Sequence, residues 1–413
     1  MTSTCELTLS SHAYGGESFG RLADGRAVFV PFSLPGETVR VQLTEEKRGY
    51  ARAELVEVLS PSPHRVIPRC PHFTQCGGCH YQHMDYASQL LAKQEILRDQ
   101  LQRNAGIQDV PLRPIVPSPQ AWNYRNHLQF HLTPEGKLGF SAARSNQVVA
   151  VGECHLPEPP LDTIWPQLDI EPVAGLERLG LRLGAGEEVQ LTLESSDPQP
   201  LDFLVEDLPL SAVHLGPGGC LVLAGSERLV MEVLGRPFYV SASSFFQVNT
   251  FMAAAMVEHV LGNIELNPGA VVLDVYCGVG LFSAFLAPLA GRLVGIEDSA
   301  SACEDFAINL EEFDHVELYA ATAEETLSSL DFQSDLILLD PPRSGLERGA
   351  MQGLLRQRAR CLVYVSCDPS TLGRDIRRLI QAGYRLQSIT PFDLFPQTYH
   401  IESISFLELE AAP

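Results

Sequence analysis

The sequence predicts an α/β protein with a doubly wound, Rossmann-like C-terminal domain, a small N-terminal OB-like β-barrel and a mixed, strand-rich central domain. From about residue 241, apolar β-branched segments alternate with helical ones, which is typical of a doubly wound parallel sheet. The first 62 residues are short strand-like runs between glycine turns. At 413 residues the chain can form several hydrophobic cores. We therefore expect three domains, at 1–62, 63–240 and 241–413.

The N-terminal region contains the runs AVFV, TVRVQL and AELVEVL, which alternate or are β-branched. About five such strands would form a barrel of the size of an oligonucleotide-binding fold, closed by the linker PSPHRVIP. A small barrel of this kind could equally serve as a protein docking module.

The central region contains one clear amphipathic helix, DYASQLLAKQEILRDQLQRN. Hairpin turns join the strand-like segments NHLQFHL, KLGFSA and QVVAVGEC, and the runs VQLTLE and GCLVLAG follow. In the C-terminal region the predicted strands are VVLDVYC, RLVGIED, DHVELYAA, DLILLDPP and LVYVSCDP. A helix over SAFLAPLA follows the first of them.

The net charge of −22 is unevenly distributed along the chain. Residues 153–235 hold 15 acidic and 3 basic side chains, whereas residues 343–385 hold nine arginines and three acids. The basic segment can bind phosphate despite the overall negative charge, and the acidic segment is then expected to face away from a polyanionic partner.

No apolar stretch reaches the roughly 20 residues that span a bilayer, and the N-terminus has no signal-peptide pattern. We therefore expect a cytoplasmic protein without a membrane partner. In that compartment, ten cysteines favour metal-binding or catalytic roles over disulfides.

A glycine turn with Gly278 and Gly280 follows the strand that contains Asp274, and the next strand ends at Glu297. The spacing differs from the G-x-G-x-x-G of dinucleotide sites. Glu297 can accept hydrogen bonds from ribose hydroxyls, so the pattern favours S-adenosylmethionine over NAD. The alternative is that Asp274 and Glu297 only cap helices.

Cys367 ends the strand LVYVSCDP, and Asp340 ends the strand before it. Ligands of open parallel sheets bind at these strand ends. We expect the following helix and Arg374 to lower the pKa of the Cys367 thiol. A thiolate beside a methyl donor suits uracil, because addition at carbon 6 makes carbon 5 nucleophilic.

A base must then remove the carbon 5 proton, and Glu402 is the carboxylate available for this step. The alternative for Cys367 is a packed cysteine at a strand end. We expect Cys277 in the glycine turn, Cys303 on the next helix and Cys361 at the start of the Cys367 strand to pack in the core.

Four motifs together resemble the RNA uracil-C5 methyltransferase family: SSFFQVN at 243–249, DPPRSG at 340–345, VYVSCDP at 363–369 and HIE at 400–402. The resemblance covers nearly the whole chain. It implies that Cys367 is the nucleophile and Glu402 the base, and that the cofactor and uracil pocket is lined by Gln247, Tyr276, Glu297 and Asp340. One departure is Leu281, where some relatives carry a polar residue that contacts the cofactor. The stretch GRAVFVPFSLPGETV at 25–39 resembles the RNA-binding TRAM domain.

Four further cysteines can supply soft metal ligands: Cys70, Cys76, Cys79 and Cys154. Four thiolates suit tetrahedral zinc or a [4Fe-4S] cluster. Three local cysteines with one distant cysteine favour the cluster, and the resemblance to family members that carry one points the same way. We expect its role to be structural.

The expected substrate is a uridine that has left its stack, since carbons 5 and 6 are shielded within a helix. The barrel and cysteine pattern resembles members that act on 23S ribosomal RNA, and transfer RNA uridine 54 is the alternative. Phe392, Phe395 and Tyr399 would stack on bases or pack in the core. We expect a monomer.

Three other functions are weaker. RNA cytosine-C5 methyltransferases carry a second cysteine at a Pro-Cys strand end, where this chain has Asp-Pro-Pro-Arg. An amino methyltransferase would have no use for Cys367. A non-catalytic RNA-binding protein would need none of Cys367, Glu402 and Gln247.

Overall fold

The computed structural model describes residues 4–168, 170, 175–197 and 210–410. Within these ranges the strands form a closed five-stranded barrel, a seven-stranded central sheet, a two-stranded hairpin and a seven-stranded C-terminal sheet. No helix in the described ranges is long and apolar enough to cross a membrane.

The barrel contains strands β1–β5 in the order β1-β2-β3-β5-β4. Their bounds are β1 Thr4–Ala13, β2 Glu17–Arg21, β3 Ala27–Pro31, β4 Thr38–Glu46 and β5 Tyr50–Ser60. Alternate residues of β3 and β4 point inward, so Val28, Val30, Val39 and Val41 are fully buried in the barrel core. The alternation in the sequence therefore correctly predicts a small five-stranded barrel.

The central sheet has the order β12-β11-β10-β9-β6-β7-β8. Its strands are β6 His127–Leu132, β7 Leu138–Ser141, β8 Val148–Ala150, β9 Leu176–Leu183, β10 Val189–Ser195, β11 Leu210–Gly216 and β12 Gly219–Ala224. A short helix, α2 (Pro159–Ile164), packs on it. β9 and β11 were not predicted from the sequence. The acidic segment contributes β9 to β12, but its residues 169, 171–174 and 198–209 lie outside the described ranges.

The C-terminal sheet has the order β17-β16-β15-β18-β19-β21-β20. Its strands are β15 Val271–Val275, β16 Arg292–Glu297, β17 Val316–Ala320, β18 Leu336–Leu339, β19 Cys361–Ser366, β20 Tyr384–Phe392 and β21 Glu402–Leu409. The helices around it are α1 Tyr86–Ala105, α3 Thr250–Leu261, α4 Leu281–Leu286, α5 Ala300–Asn309, α6 Ala323–Ser329, α7 Arg348–Gln357 and α8 Pro369–Gln381.

This sheet is mixed, so the prediction of a purely parallel sheet is wrong in one respect. β15 to β19 are parallel to their neighbours, but β21 is antiparallel to both β19 and β20. The reversal has a consequence for the site. The first residue of β21, Glu402, lies at the edge where the parallel strands end.

Two elements of the central region pack on the C-terminal sheet. Helix α1 buries Ile96, Leu97 and Leu101 in the same core as α6, α7 and α8. The hairpin of β13 (Arg228–Val233) and β14 (Arg236–Ser241) packs into the core on the opposite face, with α3, α4 and α5. The residues on either side of position 240 therefore share one hydrophobic core.

Candidate active site

The glycine turn after β15 forms the first wall of the site. Gly278 and Gly280 have φ of 54° and 90°, and Tyr276 also has a positive φ, 63°. A Cβ on Gly280 would lie 2.4 Å from Leu310 Cδ1, so a side chain there would collide with the core. Glu297 holds this turn, because its Oε2 accepts a hydrogen bond of 2.9 Å from the Gly278 N–H.

The other oxygen of Glu297 accepts hydrogen bonds from the backbone N–H groups of Asp298 and Ser299, at 3.0 and 2.9 Å. Each carboxylate oxygen has two lone pairs, so this carboxylate can accept further hydrogen bonds from a ligand. The capping interpretation and the ligand-binding interpretation of Glu297 are therefore compatible.

Asp274 lies fully buried beneath this turn. Its Oδ2 accepts a 2.6 Å hydrogen bond from the Ser283 hydroxyl of α4, whereas its Oδ1 has no partner among the described residues. Burial raises the pKa of the Asp274 carboxyl to about 7. The glycine turn, the Glu297 carboxylate and the free Asp274 oxygen together fit a polar, nucleoside-containing ligand.

Cys367 directly follows β19, at the same edge of the sheet. The pairing of β19 with β21 ends at Ser366 and Ser403, which brings Cys367 opposite Glu402. Opposite residues of antiparallel strands have Cα atoms about 4.5–5.5 Å apart. Asp340 follows β18, the other neighbour of β19, and its N–H donates to the Val275 carbonyl. Cys367, Glu402 and Asp340 therefore converge on one crevice.

Burial, reinforced by neighbouring carboxylates, raises the pKa values of the acids in this crevice. Burial, reinforced by Glu402 and Asp340, raises the pKa of the Cys367 thiol to about 12. Burial and the neighbouring Asp340 raise the pKa of Glu402 well above its ordinary range. The exposed Arg343 side chain acts in the opposite direction and lowers both pKa values.

The prediction that α8 and Arg374 lower the pKa of the Cys367 thiol is wrong. Arg374 donates to the Asp375 carboxylate at 2.9 Å and to the Ser344 carbonyl at 2.8 Å, so its charge is already paired. The first N–H groups of α8 donate to Asp368 Oδ1. The cation that acts on Cys367 is Arg343, which the DPPR motif contained but the sequence analysis did not single out.

Gln247 lies in the turn that leads into α3, and Asn126 of the central region donates to its carbonyl at 3.0 Å. The segment SASS at 241–244, which precedes this turn, is held by the buried carboxylate of Asp305 in α5. This carboxylate accepts hydrogen bonds from the Ser241 hydroxyl, the Ser244 hydroxyl and Arg228, at 2.7, 2.6 and 2.9 Å. The network holds the segment before Gln247 against α5 of the C-terminal domain.

The aromatic residues near Glu402 divide into core and surface groups. Phe392 is fully buried, and Phe395 packs against the same core, so packing is the correct interpretation for both. Tyr399 is partly exposed. Phe245, two residues before Gln247, is 70% exposed and was missed, since a sequence alone does not reveal which phenylalanine a turn exposes.

The cysteines predicted to pack do so. Cys277 and Cys303 are buried, and Cys361 packs against the core of the C-terminal domain. The Cys303 thiol donates a 3.3 Å hydrogen bond to the carbonyl of Glu297, the last residue of β16.

The four cysteines predicted to bind metal line one cavity of about 50 Å³: Cys70, Cys76, Cys79 and Cys154. The loop that carries three of them is anchored to β7 by Gly77, whose N–H donates to the Ser141 carbonyl at 2.9 Å. Among the described residues, however, no group of three or more metal-ligating side chains is arranged to hold a metal ion. The donor set fits four-thiolate coordination, but the described geometry does not show a metal centre.

Comparison with known proteins identifies the family of the chain. The family model for tRNA (Uracil-5-)-methyltransferase matches residues 227–410, and the model for the TRAM domain matches residues 2–56. An uncharacterized RNA methyltransferase of Aquifex aeolicus is 35% identical, and the alignment covers 98% of each chain. The 23S rRNA (uracil(1939)-C(5))-methyltransferase RlmD of Shewanella sediminis is 33% identical over 98% of this chain and 96% of that protein.

A solved structure extends the match to three dimensions. The Pyrococcus abyssi tRNA (uracil-54, C5)-methyltransferase, in complex with S-adenosyl-L-homocysteine, is 26% identical with a TM-score of 0.71. The superposition covers 98% of this chain and 100% of the other. The chain therefore belongs to the RNA (uracil-C5) methyltransferase family and is an S-adenosylmethionine-dependent RNA methyltransferase with an N-terminal TRAM domain.

Proposed function

We propose that Cys367 is the nucleophile that adds to carbon 6 of a uridine, and that Glu402 is the base that removes the carbon 5 proton. The observation that carries this proposal is the position of Cys367 opposite Glu402 and beside Asp340, which follows the strand between β19 and the glycine-turn strand β15. When bound, S-adenosylmethionine supplies the methyl group from a positively charged sulfonium.

The thiolate adds to carbon 6, which gives an enolate that is nucleophilic at carbon 5. After carbon 5 has taken the methyl group, Glu402 accepts the proton from that carbon, and the Cys367 thiolate leaves as the double bond re-forms. The buried position of Glu402, 5% exposed, suits this role because a carboxylate with a raised pKa is a stronger base.

The remaining pocket residues bind and orient the reactants. Glu297 would accept hydrogen bonds from the ribose hydroxyls of the cofactor. Tyr276, in the glycine turn, and Gln247, in the turn before α3, would border the same crevice. Asp340, whose pKa burial raises to about 7, can exist in either protonation state near neutral pH. It can therefore donate or accept a hydrogen bond at the uracil edge.

The RNA would be held by the barrel and the arginine-rich segment 343–385. In this segment Arg343 and Arg348 are exposed at the start of the region after Asp340. Exposed arginines bind phosphates, and the acidic segment 153–235 would then face away from the RNA.

The substrate we favour is 23S ribosomal RNA. The support is the Shewanella relative, which matches over nearly its whole length at 33% identity, above the 26% identity of the transfer RNA enzyme of known structure. A transfer RNA uridine at position 54 is the alternative substrate.

The test is methyl transfer from labelled S-adenosylmethionine to unmodified 23S ribosomal RNA and to unmodified transfer RNA, followed by mapping of 5-methyluridine. We expect transfer to one uridine of the ribosomal RNA, absent with Cys367→Ala protein. Transfer to transfer RNA alone would reject the proposed substrate, and transfer to neither RNA would reject the function.

We also propose that Cys70, Cys76, Cys79 and Cys154 bind a [4Fe-4S] cluster with a structural role. The support is that all four thiols line one cavity between the cysteine loop and Cys154, which follows β8. Protein purified without oxygen should be brown and contain about four iron atoms and four sulfides per chain. The Cys79→Ser variant should lose both, whereas colourless protein with stoichiometric zinc would contradict the proposal.

A further inference from the structure

Tyr14 of the N-terminal barrel forms a hydrogen bond with the residue next to Cys367, the proposed nucleophile. The Tyr14 hydroxyl donates a 2.7 Å hydrogen bond to Asp368 Oδ2, although 354 positions separate the two residues. Asp368 is the residue that directly follows Cys367. The turn between β1 and β2 of the barrel is therefore in contact with the turn that contains Cys367 and Asp368.

The barrel turn that carries Tyr14 fits closely against the rest of the molecule. Gly15 and Gly16, between β1 and β2, have φ of 105° and 85°. A Cβ on Gly16 would lie 3.1 Å from His80 Cβ and 3.2 Å from Tyr399 Cδ1, so the absence of a side chain at Gly16 permits a tight approach.

The Tyr14 ring packs edge-on against Tyr399, with centroids 5.9 Å apart and planes at 88°. Tyr14 also packs against the hydrophobic core of the C-terminal domain. Its hydroxyl is thus aimed at Asp368 by packing on two sides.

Asp368 uses its two carboxylate oxygens for different partners. Oδ1 accepts the N–H groups of Ser370 and Thr371, at 2.9 and 2.8 Å, and so caps α8. Oδ2 accepts the Tyr14 hydroxyl. On the other side of Cys367, the Ser366 hydroxyl accepts from the Asp368 N–H at 3.2 Å. The turn that presents the Cys367 side chain is therefore fixed at both ends.

We propose that Tyr14 is a positioning residue for methyl transfer. By holding the Asp368 carboxylate, Tyr14 fixes the turn that presents Cys367 Sγ, so the barrel completes the active site in addition to contacting RNA. This inference rests on the proposed role of Cys367 as the nucleophile.

The electrostatics of the turn give this role a measurable signature. The carboxylates that face Cys367 and oppose its ionisation are Glu402 of β21, Asp340 after β18 and Asp368, and Arg343 favours ionisation. Tyr14 of the barrel, with the Tyr399 ring packed against it, also lies close to Cys367. The Tyr14 hydroxyl directs its proton at Asp368 and offsets part of that negative charge. Its removal should raise the pKa of the Cys367 thiol.

The test is the rate of Cys367 alkylation by iodoacetamide in the full-length protein, followed by peptide mass spectrometry between pH 7 and pH 10. This reaction needs the thiolate but neither RNA nor cofactor. The Tyr14→Phe variant should react roughly threefold to tenfold more slowly at pH 8, since a pKa rise of half to one unit reduces the thiolate fraction by that factor. Its pH profile should move to higher pH.

The matched control is Tyr319→Phe, which removes a hydroxyl from exposed β17, four strands away from β19 in the same sheet. It should react at the rate of the unaltered protein. In an Asp368→Asn background, the further change Tyr14→Phe should alter the rate less than twofold, because the partner charge is already gone.

The inference would be overturned if Tyr14→Phe protein were alkylated with unchanged rate and pH profile. It would also be overturned if adding Tyr14→Phe to Asp368→Asn reduced the alkylation rate as much as Tyr14→Phe does alone. Loss of the cooperative thermal transition in the Tyr14→Phe protein would overturn it as well. Methyl transfer is measured on the same proteins. Failure of the unaltered protein to methylate RNA would reject the proposed function, whereas Tyr14-dependent alkylation would still support the positioning role.

Discussion

Cys367 lies opposite Glu402, one residue beyond the last pair of β19 and β21, and this carboxylate adds to the rise that burial causes in the pKa of the thiol. The two side chains come from strands of opposite direction, since β21 is the strand that reverses the otherwise parallel order. The reversal brings the beginning of β21 and the end of β19 to the same edge. An acid and a nucleophile distant in sequence thereby share one crevice.

Replacement of the base should separate the two halves of the reaction. In Glu402→Gln the thiol can still add and the methyl group can still be transferred, but the carbon 5 proton has no acceptor. We expect turnover to fall by about 10²–10⁴-fold, with accumulation of a covalent protein–RNA adduct on RNA that carries ordinary uridine. Denaturing gel electrophoresis measures the adduct.

The control for this variant is Glu408→Gln, a change further along β21 at a side chain that accepts a hydrogen bond from Gln387. It should turn over normally and accumulate no adduct. If Glu402→Gln turned over at the rate of unaltered protein, another group would have to be the base.

The pH dependence of adduct formation should depend on Arg343. This side chain lowers the pKa values of both Cys367 and Glu402, so the Arg343→Gln change should raise both. Because the thiolate is the form that adds to carbon 6, the rate of adduct formation should rise with pH, and the variant should need a higher pH to reach the same rate. We expect a displacement on the order of half a unit, measured from adduct formation on 5-fluorouridine RNA between pH 6 and pH 10.

Arg348→Gln provides the comparison, since it removes an exposed charge of the same segment. Weaker RNA binding with an unchanged pH profile is expected for it. Equal pH profiles for Arg343→Gln and the unaltered protein would show that Arg343 does not act on the reacting groups.

Buried Asp274 should make the ligand-free protein less stable as the pH rises. Its folded-state pKa of about 7 lies above the ordinary value of 3.8, so folding favours the protonated form. The resulting loss in the free energy of unfolding is absent below about pH 4, develops between pH 4 and pH 7, and is complete above pH 7. Asp274→Asn can keep the bond to Ser283 without the charge.

Urea unfolding should therefore show the Asp274→Asn variant to be more stable than the unaltered protein at pH 8, by on the order of a few kcal/mol. The difference should become small near pH 4. A variant that is less stable at pH 8 would mean that the ionised carboxylate is stabilised in the ligand-free fold.

Lys93 and Asp393 form a fully buried ion pair between α1 and the loop that leads to Glu402. Lys93 also donates to the Phe395 carbonyl at 3.0 Å. The Lys93→Met change leaves the Asp393 charge unpaired, which should cost about 3–5 kcal/mol in the free energy of unfolding. Adding Asp393→Leu should recover most of this loss. The measurement is urea unfolding.

Lys137→Met, at an exposed lysine in the β6–β7 turn, should change the free energy of unfolding by less than about 0.5 kcal/mol. A loss for Lys93→Met no larger than that of this control would show that water reaches the pair.

The sequence predicts the parts of this molecule that depend on local pattern. Alternation predicts the barrel, helical periodicity predicts α1, and apolar β-branched runs predict the strands that end at Glu297 or directly before Asp340 and Cys367. The carboxyl ends of parallel strands meet at one edge of a sheet. The location of the glycine turn and of Cys367 at the same edge therefore also follows from the sequence.

The remaining features depend on contacts between distant segments. The reversal of β21 is decided by pairing, and its apolar pattern fits either direction. The partner of Arg374 was predicted wrongly, because Asp375, the next residue along the chain, binds its charge. The contact of Tyr14 with Asp368 joins residues 354 positions apart, and no local pattern predicts such a contact.

The central claim is that Cys367 forms a covalent bond with carbon 6 of the target uridine. It is tested most directly by incubating the protein and S-adenosylmethionine with RNA that contains 5-fluorouridine, which has no carbon 5 proton for the base to remove. The account predicts a stable adduct whose digested peptide carries the nucleotide on Cys367. The absence of an adduct with RNA that the enzyme methylates, or an adduct that persists in Cys367→Ala, would contradict it.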